Sequence, residues 1–280
     1  MIETPFYFSG DDSALFGVLH EAPARSGRSA FVFCHPFGEE KLWSHRVYVA
    51  FARALAAAGH PVLRFDYAGN GDSDGSFSRS SLATAIADVR AAVGEARRRS
   101  GVHAVSLLGL RLGATIASLA ADELGDIDRL VLWSPIVDGS RYMQELLRIN
   151  LTTQMAVYKE IRRDREALVA ALRAGETVNV DGYEMSLNMF EQVSAVKLAD
   201  TPKRYAAPCL IAQIDRQPGR PMPELTRLAE RYANASIIVA QEEPFWKEIA
   251  RFYDRAPSLF DETNKWLGAA NAAATIAPTA

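Results

Sequence analysis

Short apolar runs alternate with longer amphipathic segments along most of the chain. Buried strands are predicted at residues 29–34, 62–66, 104–110, 130–134, 208–213 and 236–240. Amphipathic helices are predicted at residues 46–58, 79–99, 112–124, 223–233 and 257–267. Because strands separated by helices of this kind are joined by crossovers, the order predicts a mostly parallel sheet with both faces covered.

Two segments depart from this alternation. Residues 5–23 alternate around a turn at Gly10-Asp11-Asp12, which predicts a β-hairpin. Residues 139–200 are mostly helical and contain no clear parallel strand, although residues 176–183 are typical of a short extended piece. The second segment therefore predicts a helical cap inserted into the sheet domain.

The composition favours one large domain. At 280 residues and 49% hydrophobic, the chain is long enough to bury one substantial core. We therefore predict an α/β core formed by residues 1–138 and 201–267, with residues 139–200 as the cap. Residues 268–280 are mostly Ala, Thr and Pro without periodicity, which predicts a disordered tail.

Charge and cysteine content exclude several classes of function. The formal net charge of −3 gives no general attraction for nucleic acid. The two cysteines, Cys34 and Cys209, lie in apolar runs, so we expect buried thiols, no disulfide framework and no metal site. No signal peptide and no membrane span are visible, so we expect a cytoplasmic protein. We also expect no cofactor. The oligomeric state cannot be read from the sequence.

The turn after the strand at 104–110 carries the most informative motif. It reads Gly109-Leu110-Arg111-Leu112-Gly113, with glycines flanking a strand-to-helix turn. Hydrolases with an α/β fold present their nucleophilic serine on such a turn, and their triad runs in the order Ser, Asp or Glu, His. Here Arg111 stands at the serine position, and the last histidine in the chain is His103. A Ser-His-Asp mechanism in the usual order is therefore excluded.

The loop after the first buried strand is a candidate oxyanion site. It reads His35-Pro36-Phe37-Gly38-Glu39-Glu40. In α/β-hydrolases this loop and the residue after the nucleophile supply backbone N–H groups to the oxyanion. Phe37 or Gly38, together with Leu112, would be the donors here. An ordinary strand-to-helix loop, with His35 structural, is the alternative.

A second glycine-rich turn runs from Asp66 to Ser73. Two glycines and two carboxylates at the end of a strand are typical of a tight, hydrogen-bonded turn. We expect this turn to be structural, with Tyr67 beside the pocket.

A cation at the start of a helix needs a partner. The helix macrodipole disfavours Arg111 there by about 0.3–1 kcal/mol. Asp215 follows the strand after the cap, where a triad acid normally lies, and Glu242 and Glu243 follow the last strand, where a triad histidine would lie. We take these positions as the remains of a triad. The candidate partners of Arg111 are Glu39, Glu40, Asp215, Glu242 and Glu243, or an anionic ligand.

Several stretches together resemble one family of α/β-hydrolase-like proteins, the hydrolase 2 type associated with the exosortase A system. They are residues 35–41, the turn at 66–73, the turn at 109–114, Trp133-Ser134-Pro135, residues 144–148, Gly182-Tyr183-Glu184 and Pro244-Phe245-Trp246. The resemblance implies an eight-stranded α/β-hydrolase sheet and genomic company with exopolysaccharide and protein-sorting genes. It also implies hydrolase ancestry.

These observations leave rival functions. The first is a non-hydrolytic binding or accessory protein whose capped pocket takes a small acyl or anionic ligand at Arg111. The second is an enzyme in which Arg111 acts as an electrophilic clamp and a carboxylate acts as base, or in which His45 works with Glu39 or Glu40 at the rim. The third is a hydrolase of an ester or thioester in exopolysaccharide or related secondary metabolism.

A helical stripe in the cap bears on these alternatives. The apolar residues Met143, Leu146, Leu147, Leu151 and Met155 recur at helical spacing. They either pack in the core or line the pocket, and we place Leu147 in the pocket.

Overall fold

A computed structural model describes residues 2–22, 29–217, 219–248 and 253–276. The strands are β1 (Glu3–Ser9), β2 (Ala14–His20), β3 (Ala30–Cys34), β4 (Val62–Phe65), β5 (Val105–Leu110), β6 (Ile127–Trp133), β7 (Val178–Val180), β8 (Tyr183–Met185), β9 (Cys209–Asp215) and β10 (Ala235–Gln241). Eight of them form one sheet in the order β1-β2-β4-β3-β5-β6-β9-β10. Within this sheet the pairs β1–β2 and β2–β4 are antiparallel and the other pairs are parallel. The predicted eight-stranded, mostly parallel sheet is confirmed.

Helices cover both faces of this sheet. They are α1 (Glu39–Ala57), α2 (Leu82–Ser100), α3 (Leu112–Leu124), α4 (Gly139–Tyr158), α5 (Arg165–Arg173), α6 (Leu187–Ser194), α7 (Pro223–Ala229) and α8 (Pro257–Ile276), with a 3₁₀ turn at Phe77–Arg79. Successive strand residues point to opposite faces. Phe31 and Phe33 therefore join a core with α1 and α8, whereas Val32 joins the core with α2 and α3.

Two helix boundaries differ by more than four residues from the sequence-based ones. Helix α1 begins at Glu39, seven residues before the predicted start at 46. The negative charges of Glu39 and Glu40 in the first turn of α1 are stabilised by the positive end of the helix macrodipole. The helix can therefore begin before the apolar pattern does. Helix α8 continues to Ile276, so the prediction of a disordered tail from residue 268 is wrong as far as that residue. Alanine is the strongest helix former, so an alanine-rich segment prolongs a helix that is already nucleated. Residues 277–280 lie outside the described residues.

The segment between β6 and β9 contains α4, α5 and α6 and the hairpin β7–β8. Leu147 of α4 is fully buried in the core with α6 and does not line a cavity at Arg111, contrary to its predicted place. The apolar stripe that contains Leu147 is core at its N-terminal half, because Met143 is also fully buried. Met155, at its C-terminal end, is 47% exposed.

Two negative findings apply to the part of the chain that the structure describes. No helix there combines the length and apolar character needed to cross a membrane. No group of His, Cys, Asp and Glu side chains there is placed to hold a metal ion.

Candidate functional site

Arg111 occupies a strained turn between β5 and α3. Its φ and ψ are 54° and −123°, a conformation that costs a residue with a side chain on the order of 1–3 kcal/mol. The flanking glycines allow the turn. A Cβ on Gly113 would lie 2.2 Å from the carbonyl oxygen of Cys34, and a Cβ on Gly109 would lie 2.4 Å from the carbonyl oxygen of Gly113. The strand and the helix therefore approach so closely that Arg111 is pushed to the C-terminal edge of the sheet.

Glu40 is the direct partner of Arg111. Arg111 Nε donates a hydrogen bond to Glu40 Oε1 at 3.0 Å, and the Tyr142 hydroxyl donates to Glu40 Oε2, also at 3.0 Å. The side chains of Arg111 and Glu40 are only 16% and 17% exposed. Burial raises the pKa of Glu40, and the charge of Arg111 offsets this only in part. Because Glu40 belongs to α1 and Tyr142 to α4, this hydrogen bond joins the two helices.

The guanidinium of Arg111 lies near two aromatic rings. Its Cζ is 5.5 Å from the ring centroid of Tyr142 and 5.3 Å from that of Trp246, within the range of cation–π attraction. Glu145 Oε2 lies 3.9 Å from Nη2, too far for a hydrogen bond. Within the described ranges, the terminal Nη1 and Nη2 groups of Arg111 thus have no hydrogen-bond acceptor, and the buried Nε1–H of Trp246 has none either.

Two cavities meet at this arginine. The β6–β9 cavity, of about 370 Å³, lies beyond the C-terminal ends of β6 and β9, and the α1–α4 cavity, of about 790 Å³, lies between the start of α1 and helix α4. Ligand sites of open α/β sheets lie in this position. Both cavities are lined by Arg111, Tyr142, Glu145, Trp246 and Lys247.

The two cavities differ in charge. The β6–β9 cavity has four basic and four acidic lining residues, which are Arg111, Arg141, Arg216 and Lys247 against Asp138, Glu145, Asp215 and Glu224. The α1–α4 cavity has three basic and five acidic ones, which are Arg111, Arg148 and Lys247 against Glu39, Glu40, Glu145, Asp181 and Glu248. An anion is therefore better accommodated in the β6–β9 cavity.

The other predicted carboxylates serve other contacts. Asp215 lines the β6–β9 cavity, but its Oδ1 accepts from the backbone N–H of Gln217 at 3.1 Å. Glu242 Oε1 accepts from the backbone N–H of Ser258 at 2.7 Å, at the start of α8. Glu243 pairs with Arg216. Of the three predicted remains of a triad, only Asp215 shares a cavity with Arg111.

The predicted oxyanion residues lie apart from Arg111's cavities. Phe37, Leu112 and Tyr67 surround a separate small cavity of about 30 Å³. Gly38 lines neither Arg111 cavity, and the ring of Tyr183, from the cap hairpin, would lie 3.3 Å from a Cβ placed on it. The amide of Leu112 begins α3 and so has no acceptor within that helix. The structure therefore does not bring these donors together with the guanidinium.

None of the five histidines lines either cavity at Arg111. His35 is buried, its Nδ1 lies 2.9 Å from the carbonyl oxygen of Pro36, and burial lowers its pKa to about 3. His45, considered above as a rim acid or base with Glu39 or Glu40, faces a different cavity beside Lys41. These surroundings make His35 a neutral structural residue.

The turn after β4 is held by hydrogen bonds, as its sequence predicts. Asp66 Oδ1 pairs with Lys41 at 2.5 Å, and Asp66 Oδ2 accepts from the backbone N–H of Asp72 at 3.1 Å. The Ser73 hydroxyl donates to the carbonyl oxygen of Asp66 at 2.6 Å. The polar groups of the turn are thus satisfied by one another and by Lys41 of α1.

Tyr142, Glu145 and Trp246 are the site residues that sequence reasoning missed. Tyr142 and Glu145 are three residues apart on α4, a spacing that puts both on one face of a helix. That spacing was readable, but which face of α4 meets Arg111 depends on how the cap packs. Trp246 was visible only as part of Pro244-Phe245-Trp246.

Comparison with known proteins supports the fold and the family. The serine aminopeptidase S33 family matches residues 25–190, more than half of the chain. The human protein ABHD12B is 32% identical over 123 residues, which are 42% of this chain and 33% of that protein. The chain thus matches about a third of the length of this curated relative.

Solved structures resemble the whole chain. Est1E from Butyrivibrio proteoclasticus, bound to ferulic acid, has a TM-score of 0.69 at 19% identity, covering 95% of this chain and 99% of that one. A proline iminopeptidase from Mycobacterium smegmatis has a TM-score of 0.61 at 14% identity, covering 97% and 100%. These likenesses show the α/β-hydrolase fold.

Proposed function

Because this chain belongs to the serine aminopeptidase S33 family but carries Arg111 at the turn where that fold presents its nucleophile, we propose that it binds a small acyl or anionic ligand without hydrolysing it. The ligand would occupy the β6–β9 cavity. There its carboxylate or other anionic group would meet Arg111.

The observation that carries this proposal is the unused donor capacity of Arg111. Only Nε is engaged, by Glu40, so Nη1 and Nη2 remain without acceptors among the described residues. A planar guanidinium with parallel N–H groups suits a carboxylate or phosphate, and such charge-assisted bonds contribute about 1.5–3 kcal/mol. The equal numbers of acidic and basic residues around the β6–β9 cavity favour this side over the α1–α4 cavity.

The surroundings of the available nucleophiles support binding without hydrolysis. Ser134 lines the β6–β9 cavity, but its Oγ accepts from the backbone N–H of Ile214 at 3.2 Å, and no histidine lines the cavity to act as its base. Cys34 is fully buried, and burial raises the pKa of its thiol to about 12. A hydroxyl or thiol without a base or a lowered pKa is a poor nucleophile.

The test of binding compares octanoate with its neutral analogue octanamide by isothermal titration calorimetry. We expect octanoate to bind at least about tenfold more tightly than octanamide, because only the carboxylate is negatively charged and offers two acceptor oxygens to Nη1 and Nη2. Equal affinity for the two, or no binding of octanoate at millimolar concentration, would refute the proposal.

A matched pair of variants locates the site. Met222 lines the β6–β9 cavity and is 43% exposed, whereas Met155 is 47% exposed and lines neither cavity. Met222→Trp should weaken octanoate binding about tenfold by filling the cavity, and Met155→Trp should leave it unchanged. If both variants act alike, octanoate binds elsewhere.

The absence of hydrolysis is tested with p-nitrophenyl esters and fluorophosphonate probes. The purified protein should not hydrolyse p-nitrophenyl acetate or butyrate above background and should not be labelled, because no serine has a histidine base. Stoichiometric labelling of any serine, Ser134 included, would instead support hydrolysis of an ester or thioester. The exopolysaccharide setting of the resembling family would then supply its substrate class.

A second candidate is an enzyme of altered chemistry, with Arg111 as electrophilic clamp and Asp215 as base. It is favoured by the fact that both residues line one cavity. Turnover of a bound acyl ligand that is lost in Asp215→Asn, with octanoate affinity retained, would support it over simple binding.

A further inference from the structure

The outer end of the cap exposes a cluster of apolar side chains. Met155, Val157, Tyr158 and Ile161 are 47%, 62%, 47% and 49% exposed. We call residues 155–165 the cap tip. In the described part of the chain nine large hydrophobic side chains are exposed, and four of them fall within residues 155–161. Such a concentration marks an interaction surface, since isolated apolar residues are the rule elsewhere on a surface.

The cap tip is held by hydrogen bonds. Gln154 is 9% exposed, and its side-chain oxygen accepts from the backbone N–H groups of Arg162 and Arg163 at 2.8 and 3.0 Å. Its amide nitrogen donates to the carbonyl oxygen of Arg163 at 2.9 Å. Helix α4 ends at Tyr158, and the next residue, Lys159, has a φ of 63°. The chain after α4 is thus folded back on a buried side chain, which presents the apolar residues outward.

The cap tip is basic on an acidic protein. It contains Lys159, Arg162, Arg163 and Arg165 against Glu160 and Asp164, a net charge of +2, whereas the whole chain carries −3. Arg162 pairs with Glu160 and Arg163 pairs with Glu176, outside the tip, whereas Lys159 and Arg165 form no ion pair with any described residue. Arg162 stacks on Tyr158, with its Cζ 3.7 Å from the ring centroid. Apolar side chains within a basic rim complement anionic lipid head groups over acyl chains.

We propose that the cap tip docks on an anionic lipid surface. The exposed apolar side chains would enter the boundary between head groups and acyl chains, and the basic residues would meet the lipid phosphates and carboxylates. A contact between the cap tips of two copies is less favourable, because it would place Lys159 and Arg165 of one copy near those of the other. Thr152 and Thr153 of the same helix line the α1–α4 cavity, so docking places that cavity beside the lipid.

The experiment is cosedimentation of the full chain with vesicles. We expect binding to phosphatidylserine–phosphatidylcholine vesicles and much weaker binding to pure phosphatidylcholine. Replacing Met155, Val157, Tyr158 and Ile161 together by Ser should lower the bound fraction about tenfold or more. The matched control is Ile2→Ser with Tyr7→Ser, which removes side chains that are 63% and 58% exposed but lie outside the cap.

A second variant tests the basic rim. Lys159→Gln with Arg165→Gln should reduce the preference for phosphatidylserine by several-fold, while Arg79→Gln with Lys265→Gln, an equal loss of charge elsewhere, should not. Melting temperatures near that of the wild type show that the variants fold.

Three results would overturn the proposal. The first is no binding of the wild type to phosphatidylserine vesicles, and the second is equal binding by the four-serine variant. The third is self-association in sedimentation velocity that the four-serine variant abolishes, which would identify a second copy as the occupant of the cap tip.

Discussion

Removing the charge of Arg111 should destabilise the fold through Glu40 more than through the arginine itself. In Arg111→Met the apolar stem is largely kept, but Glu40 is left buried without its cation. Breaking a buried pair costs about 3–5 kcal/mol, and the 16% and 17% exposure of the two side chains favours about 3 kcal/mol. For a domain of this size that corresponds to a fall in melting temperature of about 5 °C.

Urea unfolding followed by circular dichroism measures this loss, and a double-mutant cycle assigns it. Arg111→Met with Glu40→Gln should lose only about 1 kcal/mol, because the introduced amide still accepts from the hydroxyl of Tyr142 and carries no charge. The control is Arg216→Met, which breaks the ion pair with Glu243. The side chains of that pair are 63% and 34% exposed, so its loss should stay within about 0.5 kcal/mol.

The pH dependence has a definite sign. Burial raises the pKa of folded Glu40 above its unfolded value, so the native state binds more protons and stability from this group falls as pH rises through that window. Without Arg111 the pKa rises further. The deficit of Arg111→Met should therefore be smaller at about pH 5 than at about pH 8. A deficit below about 1 kcal/mol at both pH values, or a double variant no more stable than the single one, would refute this reasoning.

Three further expectations follow from the same contacts. Gly113→Ala should prevent folding, because its Cβ would lie 2.2 Å from the carbonyl oxygen of Cys34. The control, Gly94→Ala on the open face of α2, should stabilise the protein by about 0.5–1 kcal/mol. Soluble yield and urea unfolding measure both effects. Arg111→Ser should gain no activity on p-nitrophenyl butyrate, since no histidine lines its cavities, and measurable burst kinetics would contradict this. Burial lowers the pKa of His20 to about 4 and that of His35 to about 3, so below about pH 6.5 the unfolded chain binds more protons than the native state. The free energy of unfolding should therefore fall as pH drops below about 6.5, by up to about 1.4 kcal/mol per pH unit for each histidine. A flat profile down to about pH 5 would count against this expectation.

The strands and their mostly parallel arrangement were readable because their signals are local. Apolar runs, helical periods and the glycines around Arg111 are short-range patterns, and they predicted the strands, the crossovers and the close approach of β5 and α3. The end of α8 was misjudged because loss of amphipathic period was taken as loss of helix, although alanine sustains a helix without it.

The site was only partly readable because its partners are distant in sequence. The sequence offered five carboxylates for Arg111, and the structure selects Glu40, which lies 71 residues away. Glu242 was excluded by a local role that the sequence does not reveal, since it accepts from the amide of Ser258. Leu147 was misplaced because the same helical spacing serves a core face and a pocket face, and only the packing of α4 on α6 decides between them.

The hydrogen bond from Tyr142 to Glu40 ties helix α4 to helix α1. If α4 moved away from the sheet edge, Tyr142 would lose its hydrogen bond to Glu40, whose carboxylate also accepts from Arg111. The polar side chains of Glu40 and Arg111 would then be partly uncovered. Movement of α4 away from α1 and global unfolding would therefore both break this hydrogen bond. We therefore expect the backbone amides in the first turns of α4 to exchange their hydrogens as slowly as the amides of the sheet. We also expect any ligand to reach Arg111 through the open mouths of the two cavities, without movement of α4.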